Sequence, residues 1–407
     1  MIAQPEIRCV VVGGGPAGAV LSYMLARQGL AVVLLEMHQN FERDFRGDTL
    51  HPSILEIMDE LGLAERLLAL PHTRLSQASL PTEAGPITVA DLSTLKTKFP
   101  FVALMPQARF LDFMTGEAKH FPNFQLVLGA MVDELIEDGA VSPGVVRGVR
   151  YRAPNGRHEL RALLTVGADG RFSKLRQLSG LGLAAVHASP PMDVLWFRLP
   201  RRPTDTHGLV GRFGAGHLII QLERADEWQV GFIIRKDSFR ALRAAGLPAL
   251  QREIAATAPE LADRVGVIAD WQQVSLLSVQ ADRLPVWYRP GLLLIGDAAH
   301  VMSPAGGNGI NYAVNDAVAA ANILSGPLLA GQVGLDDLAR VQRRRERPTR
   351  IIQAVVAFMQ ERLLRPALES DKPLSVPGFV PWPVVRRVAA RVIGLGVGRE
   401  HVAKPGS

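Results

Sequence analysis

The sequence predicts an α/β protein: a parallel-sheet domain, a second, mixed or antiparallel sheet inserted into it, and a helical C-terminal tail. Three observations predict it. A short apolar run, Ile7–Val12, leads into GGGPAG, then a helical pattern over Ala17–Gln28, then a second apolar run, LAVVLLE, ending at Glu36. Far downstream an apolar run, Leu292–Ile295, opens the loop GDAAHVMSPAGGNGIN (Gly296–Asn311) and a long Ala-rich helical pattern, Gly309–Leu324. Between them, from Met192 to Val279, runs such as VLWFRL, HLIIQL and WQVGFII read as extended strands of a different sheet.

Each element has a local cause. Continuous apolar runs are what strands covered on both faces require. Gly29 ends the first helical pattern, because glycine accepts the backbone conformation that closes a helix. Helical spacing recurs over Pro52–Leu61 and Gln107–His120, and helices are expected near Phe239–Ala256. Short strand patterns fill Gln125–Val166, with a hairpin expected to turn on Asn155-Gly156. The tail reads as helical, interrupted by DKPLSVPGFVPWP (Asp371–Pro383).

Composition narrows the class. A chain of 407 residues with 48% hydrophobic and 21% charged residues holds enough apolar material for about two cores. Its one cysteine, Cys9, rules out an intramolecular disulfide or a multi-cysteine metal cluster, and it falls in the first strand pattern, where a core position is expected. None of the ten histidines stands in a metal-ligand spacing, so no metal site is expected. No G-x-S-x-G marks a nucleophile. The N-terminus shows no basic start followed by an apolar stretch, and no run approaches the roughly 18 residues of a spanning helix. A cytoplasmic protein without stable membrane insertion is expected. The net charge is +6, and its densest cluster, QRRRERPTR (Gln342–Arg350), lacks interleaved aromatics. It reads as a solvated helix face, with no nucleic-acid partner expected. The basic and apolar PWPVVRRVAARVIGLG (Pro381–Gly396) is expected to pack on its own domain or on a second copy, leaving monomer or homodimer open.

Gly13, Gly15 and Gly18 satisfy G-x-G-x-x-G, with Ala17 at the helix start. The first glycine permits the tight turn, the second lets a pyrophosphate approach the backbone, and the third lets helix pack on strand. The helix N-terminus offers unpaired N–H groups to phosphate. Glu36, closing the second strand, is placed for the adenosine ribose hydroxyls, and its charge disfavours a 2′-phosphate, so the tightly held dinucleotide is not NADP. Strand, glycine turn, helix and acid together make this a Rossmann-type unit.

Two later motifs specify which dinucleotide. GADGRFSKLR holds Asp169-Gly170 and Arg176, and the Gly296 loop holds Asp297, Pro304 and GGNG (Gly306–Gly309). The three spaced motifs together resemble the flavoprotein aromatic hydroxylases, the para-hydroxybenzoate hydroxylase-like FAD monooxygenases, from the N-terminus to about Leu324. The resemblance implies a glutathione-reductase-like FAD-binding domain formed by residues 1–75, 101–185 and 281–330. It further implies a substrate domain of residues 76–100 and 186–280, with a helical region over 331–407. Asp297 looks like the carboxylate that meets the ribityl chain. Pro304 belongs to the same loop, and Gly307, Asn308 and Gly309 look like the backbone against the flavin pyrimidine edge. Arg46, in FRGDTLHPSILEIMDELGL, resembles a flavin-side or pyrophosphate contact, with an exposed loop arginine as the plain alternative. Gln107, in MPQARFLDFM, resembles a residue touching FAD, against a polar residue at a helix start. Asp169 resembles an aspartate near the pyrophosphate, against one that merely shapes a turn.

The resemblance also implies the chemistry. FAD stays tightly and non-covalently bound, NAD(P)H visits as reductant, and O2 yields a flavin hydroperoxide that hydroxylates an aromatic or polyketide-like small molecule. The cofactor carries the reaction, so no catalytic side chain is assigned. His300, beside Asp297, is assigned to packing and backbone support. Trp196, Arg212, Gln221 and Phe232 fall on the inserted strands, with the face of each left open. The tryptophan motif of flavin halogenases, W-x-W-x-I-P, is not present. An isoprenoid-type FAD reductase and a non-catalytic dinucleotide-fold scaffold remain as alternatives.

Overall fold

The computed structural model describes residues 6–42, 48–82, 85–139, 144–182, 185–188, 190–206, 208–214, 216–224, 226–304, 307–369 and 382–403. A six-stranded sheet forms the main layer, in the order Tyr288–Arg289, Leu292–Leu294, Leu164–Gly167, Cys9–Val12, Val32–Glu36, Phe124–Leu128. Its strands are parallel except for the edge hairpin joining the first two. Cys9 lies opposite Leu164 on one side and Val32 on the other.

Side chains alternate across this sheet, and each set meets a different layer. Cys9, Val11, Leu34 and Val166 pack with the helices Pro16–Arg27, Gln107–Ala118 and Gly309–Leu329. Val10, Val12, Val33 and Leu35 pack instead with residues of a three-stranded antiparallel sheet, Met131–Asp138, Val145–Ala153 and Gly156–Arg161. With both faces covered, nearly every strand residue is apolar, and each such buried side chain stabilises by about 1.5–3 kcal/mol. The first helix closes as expected at Gly29 (φ +84). The Gly29 N–H donates to Ala26 O and the Leu30 N–H to Leu25 O, the paired bonds of a Schellman motif.

The hairpin expected near Asn155 is present, with its turn one residue earlier. Ala153 pairs with Gly156, so Pro154 and Asn155 make the turn and Gly156 (φ +124) begins the return strand. Proline pre-sets the φ that the first central position of a turn needs. The helices expected near Phe239–Ala256 are Phe239–Ala245 and Leu247–Thr257, divided where Gly246 turns to φ +87.

The second sheet is antiparallel, in the order Leu209–Gly214, His217–Glu223, Glu227–Arg235, Met192–Pro200, Ser275–Leu277. One face, with Leu195, Phe197, Ile219 and Phe232, is sealed by Leu242, Leu250 and Ile254 of the two short helices. The other face carries Met192, Val194, Leu218 and Ile233, and receives Leu364 and Leu368 from the tail. The Gly309 helix continues to Leu329, past the expected end. The tail then runs through Leu335–Met359, a π-helical turn Gln360–Leu364, Arg365–Glu369 and Trp382–Leu395. Most of the expected interruption, Asp371–Pro383, lies outside the described residues. Among the described residues no helix is long and apolar enough to cross a membrane.

Candidate cofactor site

The three glycines of the first turn divide by what surrounds them. Gly13 (φ +104) donates its N–H to Leu35 O at 2.8 Å, and a Cβ there would lie 2.4 Å from Ala168 O. A Cβ on Gly18 would lie 1.9 Å from Gly13 O. The chain's own packing therefore demands both. Gly15 differs: a Cβ would meet only Ala168 O, at 4.0 Å. The helix Pro16–Arg27 starts at this open position with no side-chain cap and no acid in its first turn. An uncapped, uncrowded helix N-terminus suits an anion, which fits the pyrophosphate of a dinucleotide. Ala17 is buried and reaches the later motif, since a Cβ on Gly296 would come within 3.4 Å of its methyl.

Glu36 is buried, and both its oxygens accept backbone N–H bonds: Oε2 from Gly14 at 2.9 Å and Oε1 from His38 at 3.0 Å. The carboxylate thus braces the glycine turn onto the second strand, a structural task that the motif alone did not show.

The second motif is held from three sides. Ile295 donates to Gly167 O at 2.9 Å, and Gly296–Ala298 forms a short 3-10 turn that contains the half-buried Asp297. Arg176 spans the two later motifs. Its Nε donates to Ala298 O at 2.7 Å, Nη2 to Asp297 O at 2.8 Å and Nη1 to Asp282 at 3.1 Å. From behind, Asp316 Oδ2 accepts the Gly296 N–H at 3.0 Å.

Asp316 is fully buried and anchors a network that the sequence did not reveal. His300 Nε2 lies 2.6 Å from Oδ2, and Arg345 Nε donates to Oδ1 at 2.9 Å. Arg345 also donates to Gly398 O at 2.6 Å and Glu400 Oε1 at 3.2 Å, tying the end of the chain to the loop. Burial pushes the Asp316 carboxyl up, but the His300 and Arg345 charges outweigh it and hold it below its ordinary value. The basic run Gln342–Arg350 is therefore not a uniformly solvated face: Arg343 and Arg350 are exposed, whereas Arg345 is buried. A single inward arginine within an arginine-rich helix carries no sequence signal. His300 supports the loop as expected, through a charge-bearing partner as well as by packing beside the Trp287 ring.

The third motif opens the 21-residue helix Gly309–Leu329. Gly307 (φ +67) has its N–H on Pro304 O at 3.0 Å, and its carbonyl accepts from Thr49 Oγ1 at 3.0 Å. His51 Nε2 lies 3.1 Å from the same carbonyl, and its Nδ1 lies 2.6 Å from Ile393 O. Asn308 occupies the N-cap position, buried, with no side-chain capping bond; its Oδ1 has no protein partner among the described residues. A Cβ on Gly309 would meet nothing within 4 Å. This second uncapped N-terminus carries no acid in its first turn, so its dipole favours negative charge in front of it. That is the property a reduced flavin ring requires.

Three residues complete the expected set. Asp169 accepts from Ser173 Oγ at 2.5 Å and from the Leu175 N–H at 3.0 Å, so it shapes the turn into the helix Lys174–Leu178. Burial pushes its carboxyl up, and these hydrogen bonds oppose the shift. Gln107 is the first residue of its helix, and its N–H donates to Asp48 Oδ1 at 3.2 Å. Asp48 also pairs with the guanidinium of Arg224, which bonds Gln229 Oε1 on the second sheet. Arg46 lies outside the described residues. Among the described residues no three His, Cys, Asp or Glu side chains come together as a metal site.

Two open helix starts, linked by the Gly296 turn between them, define a dinucleotide-binding flavoprotein scaffold. The chain belongs to the FAD binding domain family, whose description matches residues 6–355. It is 33% identical over 359 residues to 6-methylpretetramide 4-monooxygenase of Streptomyces rimosus, covering 87% of this chain and 83% of that one. Similarity also extends to 3-demethoxyubiquinol 3-hydroxylase of Escherichia coli, at 25% identity over 87% of this chain and 89% of the relative. A longer relative, 12-dehydrotetracycline 5-monooxygenase/anhydrotetracycline 6-monooxygenase of Streptomyces rimosus, is 28% identical, and the match covers 76% of this chain and 60% of the relative's length. The fold matches the solved p-nitrophenol 4-monooxygenase of Pseudomonas putida with a TM-score of 0.75 at 19% identity, over 97% of this chain and 99% of that one. A flavin-dependent brominase shares the fold with a TM-score of 0.76 at 18% identity, over 97% and 94%, so fold alone does not select the reaction. The family and these relatives identify the chain as an FAD-dependent monooxygenase of the aromatic hydroxylase type.

Proposed function

We propose that this protein hydroxylates a phenolic, polyketide-like small molecule, drawing electrons from NAD(P)H and oxygen from O2. The observation that carries the reading is the pairing of open glycines at two helix starts, Gly15 and Gly309, with the Gly296–Asp297 turn packed against Ala17. In this reading Gly13, Gly15, Ala17 and Gly18 form the pyrophosphate turn, and Glu36 faces the adenosine ribose while bracing Gly14. Arg46, Gln107 and Asp169 lie along the cofactor, Asp297 meets the ribityl chain, and Pro304 and Gly307–Gly309 border the flavin ring. FAD, when bound, supplies hydride acceptance and oxygen activation. The chain holds the ring, stabilises its reduced charge with the Gly309 helix start, and excludes water from the reacting atoms.

The substrate class is supported by relatives named for 6-methylpretetramide and anhydrotetracycline. We divide the chain as the sequence motifs suggest: residues 1–75, 101–185 and 281–330 bind FAD, 76–100 and 186–280 face the substrate, and 331–407 form the helical region. The reading includes a cytoplasmic monomer or homodimer, which cell fractionation and sedimentation test.

The deciding experiment is turnover by the purified yellow protein. NAD(P)H oxidation should accelerate with a phenolic polyketide, and the product should gain one oxygen atom by mass. A product gaining two hydrogens would favour an isoprenoid-type reductase, and colourless protein that FAD cannot reconstitute would favour a scaffold.

A further inference from the structure

The second sheet has one face committed to its own helices, and the other is bracketed by two contacts to the cofactor-binding part. Arg212 and Gln221 belong to the helix side, where both bond Glu260, at 2.5 Å and 3.0 Å. Phe232 lies in the sealed core on that side. Alternation along the strands puts Trp196, Ile220, Gln229, Gly231 and Arg235 on the opposite face.

At one end of this face, Gln229 bonds Arg224, which pairs with Asp48 beside the Gln107 helix start. At the other end, Arg235 Nε donates to Leu368 O at 2.7 Å, and Leu364 and Leu368 cover Val194, Leu218 and Ile233. That cover is itself tied to the Gly296–Asn311 loop, because Gln360 of the π-turn donates to Ser303 Oγ at 2.7 Å. The row between the two ends lies between these two links to the cofactor-binding part.

This middle row reads Gly211, Ile220, Gly231, Trp196 across four adjacent strands. The half-buried Trp196 indole lies over Gly231, where a Cβ would come 3.0 Å from two ring atoms. A Cβ on Gly211 would meet nothing closer than Ile219 O at 4.0 Å. Two glycines in one row of a strand surface cost stability unless something approaches the backbone closely. Here Gly231 leaves the room that the indole occupies, so the row presents an aromatic surface beside Ile220.

We propose that Trp196, laid over Gly231, is the floor of the substrate chamber and selects a flat, fused-ring phenol over a single ring. The inference rests on the monooxygenase reading and adds to it the residue that sets substrate breadth. A broad aromatic surface gains contact area with each ring stacked on it, whereas a single ring gains little beyond what the aliphatic neighbour Ile220 already offers. Trp196 acts on binding, with no part in bond making.

The test uses the FAD-loaded full chain in equilibrium dialysis with 1,8-dihydroxyanthraquinone (three fused rings) and 4-hydroxybenzoate (one ring). The wild type should bind the three-ring probe at least about tenfold more tightly. Trp196→Ala should lower that ratio to near one, and Trp196→Phe should restore most of it. Gly231→Val, which tilts the indole without removing it, should lower the ratio as Trp196→Ala does, and it decides the matter if Trp196→Ala fails to fold. Phe232→Leu, on the sealed face, should leave the ratio unchanged. A wild-type ratio near one, or a ratio that survives both Trp196→Ala and Gly231→Val, overturns the proposal. With FAD bound and a hydroxylated product formed, either result leaves the monooxygenase reading standing. Failure to bind flavin at all overturns the reading beneath it.

Discussion

Arg345 reaches from the long tail helix to place its Nε 2.9 Å from Asp316 Oδ1, while the other Asp316 oxygen holds the Gly296 N–H at 3.0 Å. The guanidinium and carboxylate are both essentially without solvent exposure. The pair thus stands directly behind the turn that presents Asp297.

Removing one partner from such a pair strands a buried charge, at a cost of about 3–5 kcal/mol. Arg345→Met is expected to lower unfolding free energy by that order in urea titrations monitored by fluorescence. Asp316→Asn should weaken FAD retention as well, because the Gly296 N–H then meets a poorer acceptor. Both variants behaving within about 0.5 kcal/mol of wild type, the scatter of an ordinary surface change, would count against a structural role for the pair.

The glycine turn separates folding from cofactor binding. Gly13→Ala forces a side chain into positive φ and against Ala168 O, so the apoprotein should lose stability by more than about 1 kcal/mol. Gly15→Ala places its methyl in open space beside ordinary backbone (φ −71), so the apoprotein should melt as wild type does while FAD binds more weakly. On the proposed ribityl contact, Asp297→Ala should lower flavin affinity roughly tenfold to a hundredfold, the loss of a charge-assisted bond of about 1.5–3 kcal/mol. Paired melting curves with and without added FAD distinguish the two classes.

The Asp48–Arg224 pair joins the Gln107 helix start to the second sheet. Burial pushes the Asp48 carboxyl up, opposed by Arg224 and by bonds from Gln107 and Gln229. A carboxyl raised in the fold binds its proton more tightly folded than unfolded. Its ionisation therefore costs stability as pH rises from its ordinary value of 3.8 through the raised one. Asp48→Asn should remove that slope from a stability-versus-pH profile in the mildly acidic range, while loosening the contact between the sheets by limited proteolysis.

Cys9 and Tyr312 contribute to the alkaline limb. Burial pushes the Cys9 thiol up to about 12 and the Tyr312 phenol up to about 12, the latter opposed by the Val397 N–H. Above pH about 9 the unfolded chain releases these protons and the folded one keeps them. Stability should then fall with rising pH, by up to about 1.4 kcal/mol per pH unit for each group. Cys9→Ser should flatten part of the slope, and native Cys9 should resist a thiol reagent at neutral pH until urea unfolds the chain.

The sequence by itself determined the elements whose cause is local. GGGPAG between two apolar runs specified a strand, a turn and a helix, because glycine φ freedom and helix-start geometry act within a few residues. Gly29 and the Gly309 helix start were legible for the same reason. Tertiary structure alone decided which of several polar residues met. Glu36 turned inward to Gly14, Arg176 linked Ala298 and Asp297, and Arg345 turned inward to Asp316 while Arg343 stayed in solvent. It also decided that Trp196 and Phe232 take opposite faces of one sheet, since strand periodicity gives alternation without saying which side is covered. Hydrogen bonds between residues far apart in the chain leave no local pattern; their partners become neighbours only when the layers pack.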